Sequence, residues 1–219
     1  MGGLIPLSDA SRQTSRFPAA AAFIIVINAI VFALELAGGD AFVMRWSAIP
    51  ADITAGHHWI NLLSSMFMHA SWSHIIGNMV FLWAFGPEIE EAMGSLHYLI
   101  FYLSGGFVAG LFQIAATPHS TVPSLGASGA IAAVMGVFLV TYPGDRIKSV
   151  WFLGIFARVT FIPAALLIGF WFLTQLVNLG AVASVTDMSK TGGVAYLAHV
   201  GGLIFGAVTA RLFERRATE

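Results

Sequence analysis

Six stretches of this 219-residue chain are long and apolar enough to be read as membrane-crossing segments, and no other feature restricts its fold so severely. A helix needs roughly 20 mostly apolar residues to cross a hydrocarbon core. The stretches lie near 18–37, 72–92, 96–116, 124–141, 160–180 and 193–213. The expected fold is therefore an all-α membrane protein, a bundle of six transmembrane helices. A further apolar run, 150–156, is too short to span, and residues 38–71 form a long connection containing Trp and His that lies partly in the interface. The expected organisation is a short cytoplasmic N-terminal tail (1–17), one membrane domain (18–213) and a cytoplasmic C-terminal tail (214–219). With no short apolar core followed by a small-residue cleavage site, the first segment reads as an uncleaved anchor.

Composition agrees: 58% of residues are hydrophobic and 10% charged, and the mean hydropathy is +0.83. The formal net charge of −1 gives no reason to expect nucleic acid as a partner. Cysteine is absent, which removes disulfides and thiolate metal sites. The basic residues instead report topology. With both termini in the cytoplasm, Arg12, Arg16, Arg146, Lys148, Arg158, Arg211, Arg215 and Arg216 lie inside, and Arg45 and Lys190 lie outside. A multi-pass location in a cell's inner membrane is expected.

In that topology segments two, four and six run in the same direction, from the outer face inward. His74 and Asn78 in segment two, Ser128 in segment four and His199 in segment six then share a layer roughly 3 to 10 Å below the outer boundary. Each has a structural explanation alone. A serine bonds the carbonyl one turn back, and a His or Asn can join two helices. Four of them at one depth on alternate segments point instead to a cavity, a partner or a reaction, because polar groups inside a membrane are costly. His74 and Asn78 are four apart and project from one face. Gly126, Gly129 and Gly136 thin segment four, and Gly202 and Gly206 thin segment six, so the two backbones can approach closely. No Asp or Glu stands beside these residues, and Glu35, at the outer end of the first segment, is the nearest acid in that span.

The chemistry this permits is a serine–histidine dyad. His199 removes the Ser128 proton during attack on a peptide carbonyl and returns it to the leaving amine. The Ser128 N–H, the Asn78 amide and the His74 imidazole are the available oxyanion donors. A metalloprotease fits less well, because no His-Glu-x-x-His occurs and no carboxylate or cysteine completes a site. A transporter fits less well too, since no inverted repeat and no acidic midplane residue is apparent.

Four stretches, HASWSHIIGNMVFLWAFG (69–86), EEAMGSLHYLIFYL (90–103), GASGAIAAVMG (126–136) and AYLAHVGGLIFG (195–206), make the chain resemble the rhomboid family of intramembrane serine proteases. The resemblance implies a six-helix fold with residues 38–71 as a membrane-embedded first loop. It also implies Ser128 as nucleophile, His199 as base, and His74 and Asn78 at the oxyanion hole, with structural roles for His69 and Glu90. Implied partners are the lipid bilayer and single-span membrane proteins cut near the outer end of the span, usually after a small residue. Neither cofactor nor metal is called for. An inactive relative that binds membrane helices would lack the serine or the histidine, and both are present. Many relatives carry an aromatic residue one turn after the nucleophile, stacked on the histidine, where this chain has Ala132. Either the space beside the His199 ring is vacant, or another aromatic, Tyr196 or one from segment five, fills it. The connection 181–193, with Gly192 and Gly193, is expected to cap the cavity.

Overall fold

The computed structural model describes residues 4–153, 156–183 and 195–213. Each of the six apolar stretches contains a helix: α1 (Ala19–Trp46), α4 (Trp72–Met93), α5 (Ser95–Ala116), α6 (Ser128–Thr141), α7 (Ala164–Ala183) and α8 (Tyr196–Phe213). Among the described residues, α1 and α5 are long and apolar enough, by length and composition, to cross a membrane. Gly39 breaks α1 with φ 57° and ψ −152°, a left-handed conformation favoured by glycine, close to the expected end at 37. The connection that follows is ordered into α2 (Pro50–Thr54), α3 (Asn61–Ser64) and a 3-10 turn, Ser65–Phe67. The Asn61 amide donates to the carbonyls of Arg45 and Ser47 at 3.0 Å each, and Ser64 Oγ donates to that of Trp46 at 2.7 Å, which ties this connection back to α1.

The fold is not purely helical. Three strands, β1 (Leu4–Asp9), β2 (Arg146–Leu153) and β3 (Phe156–Pro163), form an antiparallel sheet in the order β1-β2-β3. Residues 4–9, expected within a tail, are thus a strand paired to the connection between α6 and α7. Of the run 150–156, Val150 to Leu153 lie in β2 and Phe156 opens β3, and α7 begins at Ala164 rather than 160 because β3 takes the intervening residues. β-branched and aromatic residues such as Val150, Trp151, Val159 and Phe161 suit a pleated surface. Ile147 and Ser149, two apart on β2, are fully buried and set the inward face.

At the centre stands α6, buried from Gly129 to Phe138 on every side. Phe138 meets Phe85 of α4 edge-on with ring centres 5.1 Å apart, and Phe101, Tyr98 and Tyr102 of α5 complete the core. On its other side α6 packs against α8 with almost no side chain between them. A Cβ on Gly202 would strike the Gly129 carbonyl, one on Gly206 the Ala133 carbonyl, and one on Gly136 the Leu203 carbonyl. This small-residue seam is the close approach that the glycine spacing anticipates.

Candidate functional site

Residues 124–127, expected as the first turn of segment four, are not helical. Ser124 forms an isolated bridge with Ala48, the Gly126 N–H donates to the Ser65 carbonyl at 2.9 Å, and Gly126 has φ +133°. The helix therefore starts at Ser128, and α6 is only 14 residues, about 21 Å at 1.5 Å per residue. A late start recesses the serine and leaves its backbone N–H among the amides at a helix N-terminus that have no partner within the helix.

The other candidates also sit in the first two turns of their helices. His74 and Asn78 lie on α4, and His199 lies on α8. Ser128 and His199 are brought together, with Ser128 Oγ 2.6 Å from His199 Nε2, a hydrogen bond made possible by the glycine seam. Ser128, His199, His74 and Asn78 all line one cavity of about 610 Å³. His74 closes over Gly126, where a Cβ would lie 2.9 Å from the imidazole Cε1 and Nε2 and 3.6 Å from Ser128 Oγ. Absence of that Cβ keeps the imidazole near the serine.

Asn78 is held by His69, whose ring Nε2 is 2.8 Å from the Asn78 amide nitrogen. The His69 backbone N–H in turn donates to Glu35 Oε2 at 2.8 Å, and the His69 and His74 rings meet edge-on at 5.0 Å. Glu35 thus anchors the loop beside Asn78. Glu90 performs a comparable task at the other end of α4, accepting from the N–H groups of Ala20 (2.9 Å) and Ala21 (2.8 Å) and from Ser95 Oγ (2.6 Å). It caps the first turn of α1 and joins three helices.

One contact was not anticipated. Gln175 of α7, only 8% exposed, places Oε1 2.8 Å from His199 Nδ1. A polar residue inside an apolar segment is a signal in its own right. Depth alone does not single it out, because its part in the site depends on how α7 is rotated against α8. Ala132 is fully buried and faces α8 as expected, with its Cβ 3.2 Å from where a Cβ on Gly202 would stand. Aromatic support for the histidine comes from Trp171 of α7, at 5.5 Å between ring centres, and from Tyr196, at 6.3 Å. From residue 184 to 193 the expected cap lies outside the described residues.

The Rhomboid domain family model matches residues 56–216. The chain is 27% identical over 191 residues to rhomboid protease GluP of Bacillus subtilis, covering 86% of this chain and 33% of that protein. It is 28% identical over 189 residues to rhomboid protein 1, mitochondrial, of Saccharomyces cerevisiae, covering 83% and 49%. Against the bovine presenilin-associated rhomboid-like protein, mitochondrial, identity is 31% over 155 residues, covering 66% and 36%. The chain spans between a third and a half of the length of these relatives. Since the domain match takes in most of the chain, including all four stretches that carry the candidate residues, the protein belongs to the rhomboid family and is a multi-pass helical membrane protein.

Proposed function

We propose that this chain is an intramembrane serine endopeptidase that cuts single-span membrane proteins near the outer end of their span, using Ser128 and His199. The observation that carries the reading is the 2.6 Å contact between Ser128 Oγ and His199 Nε2 inside a cavity that His74 and Asn78 also line. His199 accepts the Ser128 proton as Oγ attacks the scissile carbonyl, and the new imidazolium then gives that proton to the leaving amine. Water repeats the sequence on the acyl-enzyme. The Ser128 N–H, the Asn78 amide and the His74 ring donate to the oxyanion. A cavity of about 30 Å³ behind Ser128, walled by Gly106, Ala109 and Gly129, supports a small side chain at the cut.

In this reading α1, α4, α5, α6, α7 and α8 cross the bilayer, and residues 38–71 are embedded in its outer half, with exposed Trp59 and Ile60 at the lipid interface. Both termini are cytoplasmic and the membrane is a cell's inner membrane, in keeping with the Lys and Arg bias. A fluorophosphonate probe tests the chemistry. It should label the wild type and leave Ser128→Ala unlabelled, and equal labelling of the two would remove Ser128 as nucleophile. Because the chain has no cysteine, single cysteines introduced at 10 and 190 would report topology with an impermeant reagent. Only the second should react from outside.

A further inference from the structure

Building on the protease reading, we infer that Gln175 is a positioning residue that holds the His199 ring with its proton on Nδ1, so that the Nε2 lone pair faces Ser128. The amide orientation fixes the tautomer. Gln175 Nε2 donates to the Trp171 carbonyl one turn back, at 3.2 Å, and to Thr174 Oγ1, at 3.1 Å. The amide is spent as a donor on its own helix, which leaves Oε1 to face His199 Nδ1 at 2.8 Å. Flipping the amide would put its oxygen against the Trp171 carbonyl, two acceptors in contact. An oxygen at Nδ1 requires a proton there, so Nε2 is bare and can accept from Ser128 Oγ at 2.6 Å.

The result is a directed chain from the Trp171 carbonyl through Gln175 and His199 to Ser128. A neutral amide suits its surroundings better than a carboxylate, because a lone charge at this depth would carry a large desolvation cost. As the imidazolium forms, the Nδ1–H bond to Gln175 becomes charge-assisted and strengthens, so its contribution falls mainly in the transition state. Trp171 and Gln175 are four apart, so one turn of α7 supplies both the ring that stands over His199 and the acceptor that orients it. The orientation of the base therefore depends on how α7 is seated against α8.

The test compares Gln175→Met, of similar length but without an acceptor oxygen, with Gln175→Glu, which keeps one, in the full chain reconstituted in liposomes. For Gln175→Met, kcat on a single-span substrate and the rate constant of fluorophosphonate labelling should both fall about 10- to 100-fold, with KM nearly unchanged. Gln175→Glu in its protonated form donates its O–H to the Trp171 carbonyl and presents its other oxygen to His199 Nδ1, so it should recover most of that loss. Imidazole 15N spectra supply a readout independent of turnover. The wild-type His199 should carry its proton on Nδ1, and in Gln175→Met the proton should redistribute toward Nε2. Wild-type kcat in a folded Gln175→Met, no recovery in a folded Gln175→Glu, or a wild-type His199 protonated on Nε2 would each overturn the inference. If Gln175→Met fails to fold, the wild-type spectrum and Gln175→Glu still decide. A wild type that labels and cleaves no better than Ser128→Ala would instead refute the protease reading, and the 15N result would stand apart from it.

Discussion

Trp171 stands over His199, with ring centres 5.5 Å apart and planes inclined by 41°. It brings an aromatic face to the histidine from α7, whereas the residue one turn after the nucleophile, Ala132, brings only a methyl group to a fully buried seam. Ala132→Phe therefore has no space to fill. The substitution should overpack the contact between α6 and α8, costing about 1 to 3 kcal/mol, and lower kcat by displacing the His199 ring. Thermal unfolding and kcat together check this. A gain in melting temperature with kcat kept would mean that the space beside His199 is open.

Asn78 and His74 should act on the transition state. Asn78→Ala removes one oxyanion donor, and kcat should fall by about 10- to 1000-fold with a smaller change in KM. Because the His74 imidazole is a second donor, the low end is expected for Asn78→Ala alone and a larger loss for the double substitution. Asn78→Ala also strips a partner from His69, so a stability loss of about 1 to 3 kcal/mol should accompany it. Unchanged kcat in both the single and the double variant would leave these residues with structural roles only.

Glu90 gives the bundle one of its few buried polar joints. Its carboxylate accepts from Ala20, Ala21 and Ser95, which belong to α1 and α5. Glu90→Ala should cost about 1.5 to 3 kcal/mol, since it leaves two amides of α1 without an acceptor. Glu90→Gln keeps one oxygen and should cost less. Equilibrium unfolding in mixed micelles distinguishes the two, and equal stability of all three proteins would contradict the capping role.

The strand β1 should respond to pH through Asp9. Burial pushes this carboxyl above the ordinary carboxylate range, and neighbouring Asp145 adds to the rise. The Ser11 amide, which donates to Asp9 Oδ1 at 2.7 Å, opposes it. With the folded value above the unfolded one, the folded state binds the proton more tightly. Between those two values Asp9's contribution to stability grows as pH falls and is lost as pH rises. Asp9→Asn retains an acceptor for Ser11 without the charge, so it should protect β1 better near neutral pH and flatten the slope below it. Hydrogen exchange of the β1 amides across about pH 4 to 8 measures this. Identical slopes in the two proteins would exclude Asp9 as the titrating group.

The positions of the long helices were legible because an apolar segment of about 20 residues announces itself locally. So was the pairing of Ser128 with His199, since helical rise places residues by depth and the glycines indicate which helices touch. Non-local pairing was not legible. Strand β1 is six residues long and finds its partner at Ile147–Trp151, more than a hundred residues away, so nothing near it in the chain marks it as a strand. The late start of α6 escaped for a similar reason, as Ser124 and Gly126 are drawn out of the helix by Ala48 and Ser65. Gln175 was missed because its role depends on how α7 is rotated, which the depth argument does not address.

The most direct test of the central claim is to reconstitute the purified protein with a panel of single-span membrane substrates and locate any cut by mass spectrometry. The wild type should cut near the outer end of the span, after a small residue. Ser128→Ala and His199→Ala should each abolish it while remaining folded, and the double variant should be no worse than either alone. The same cut made at substantial rate by either single variant would mean that Ser128 and His199 do not form the catalytic dyad.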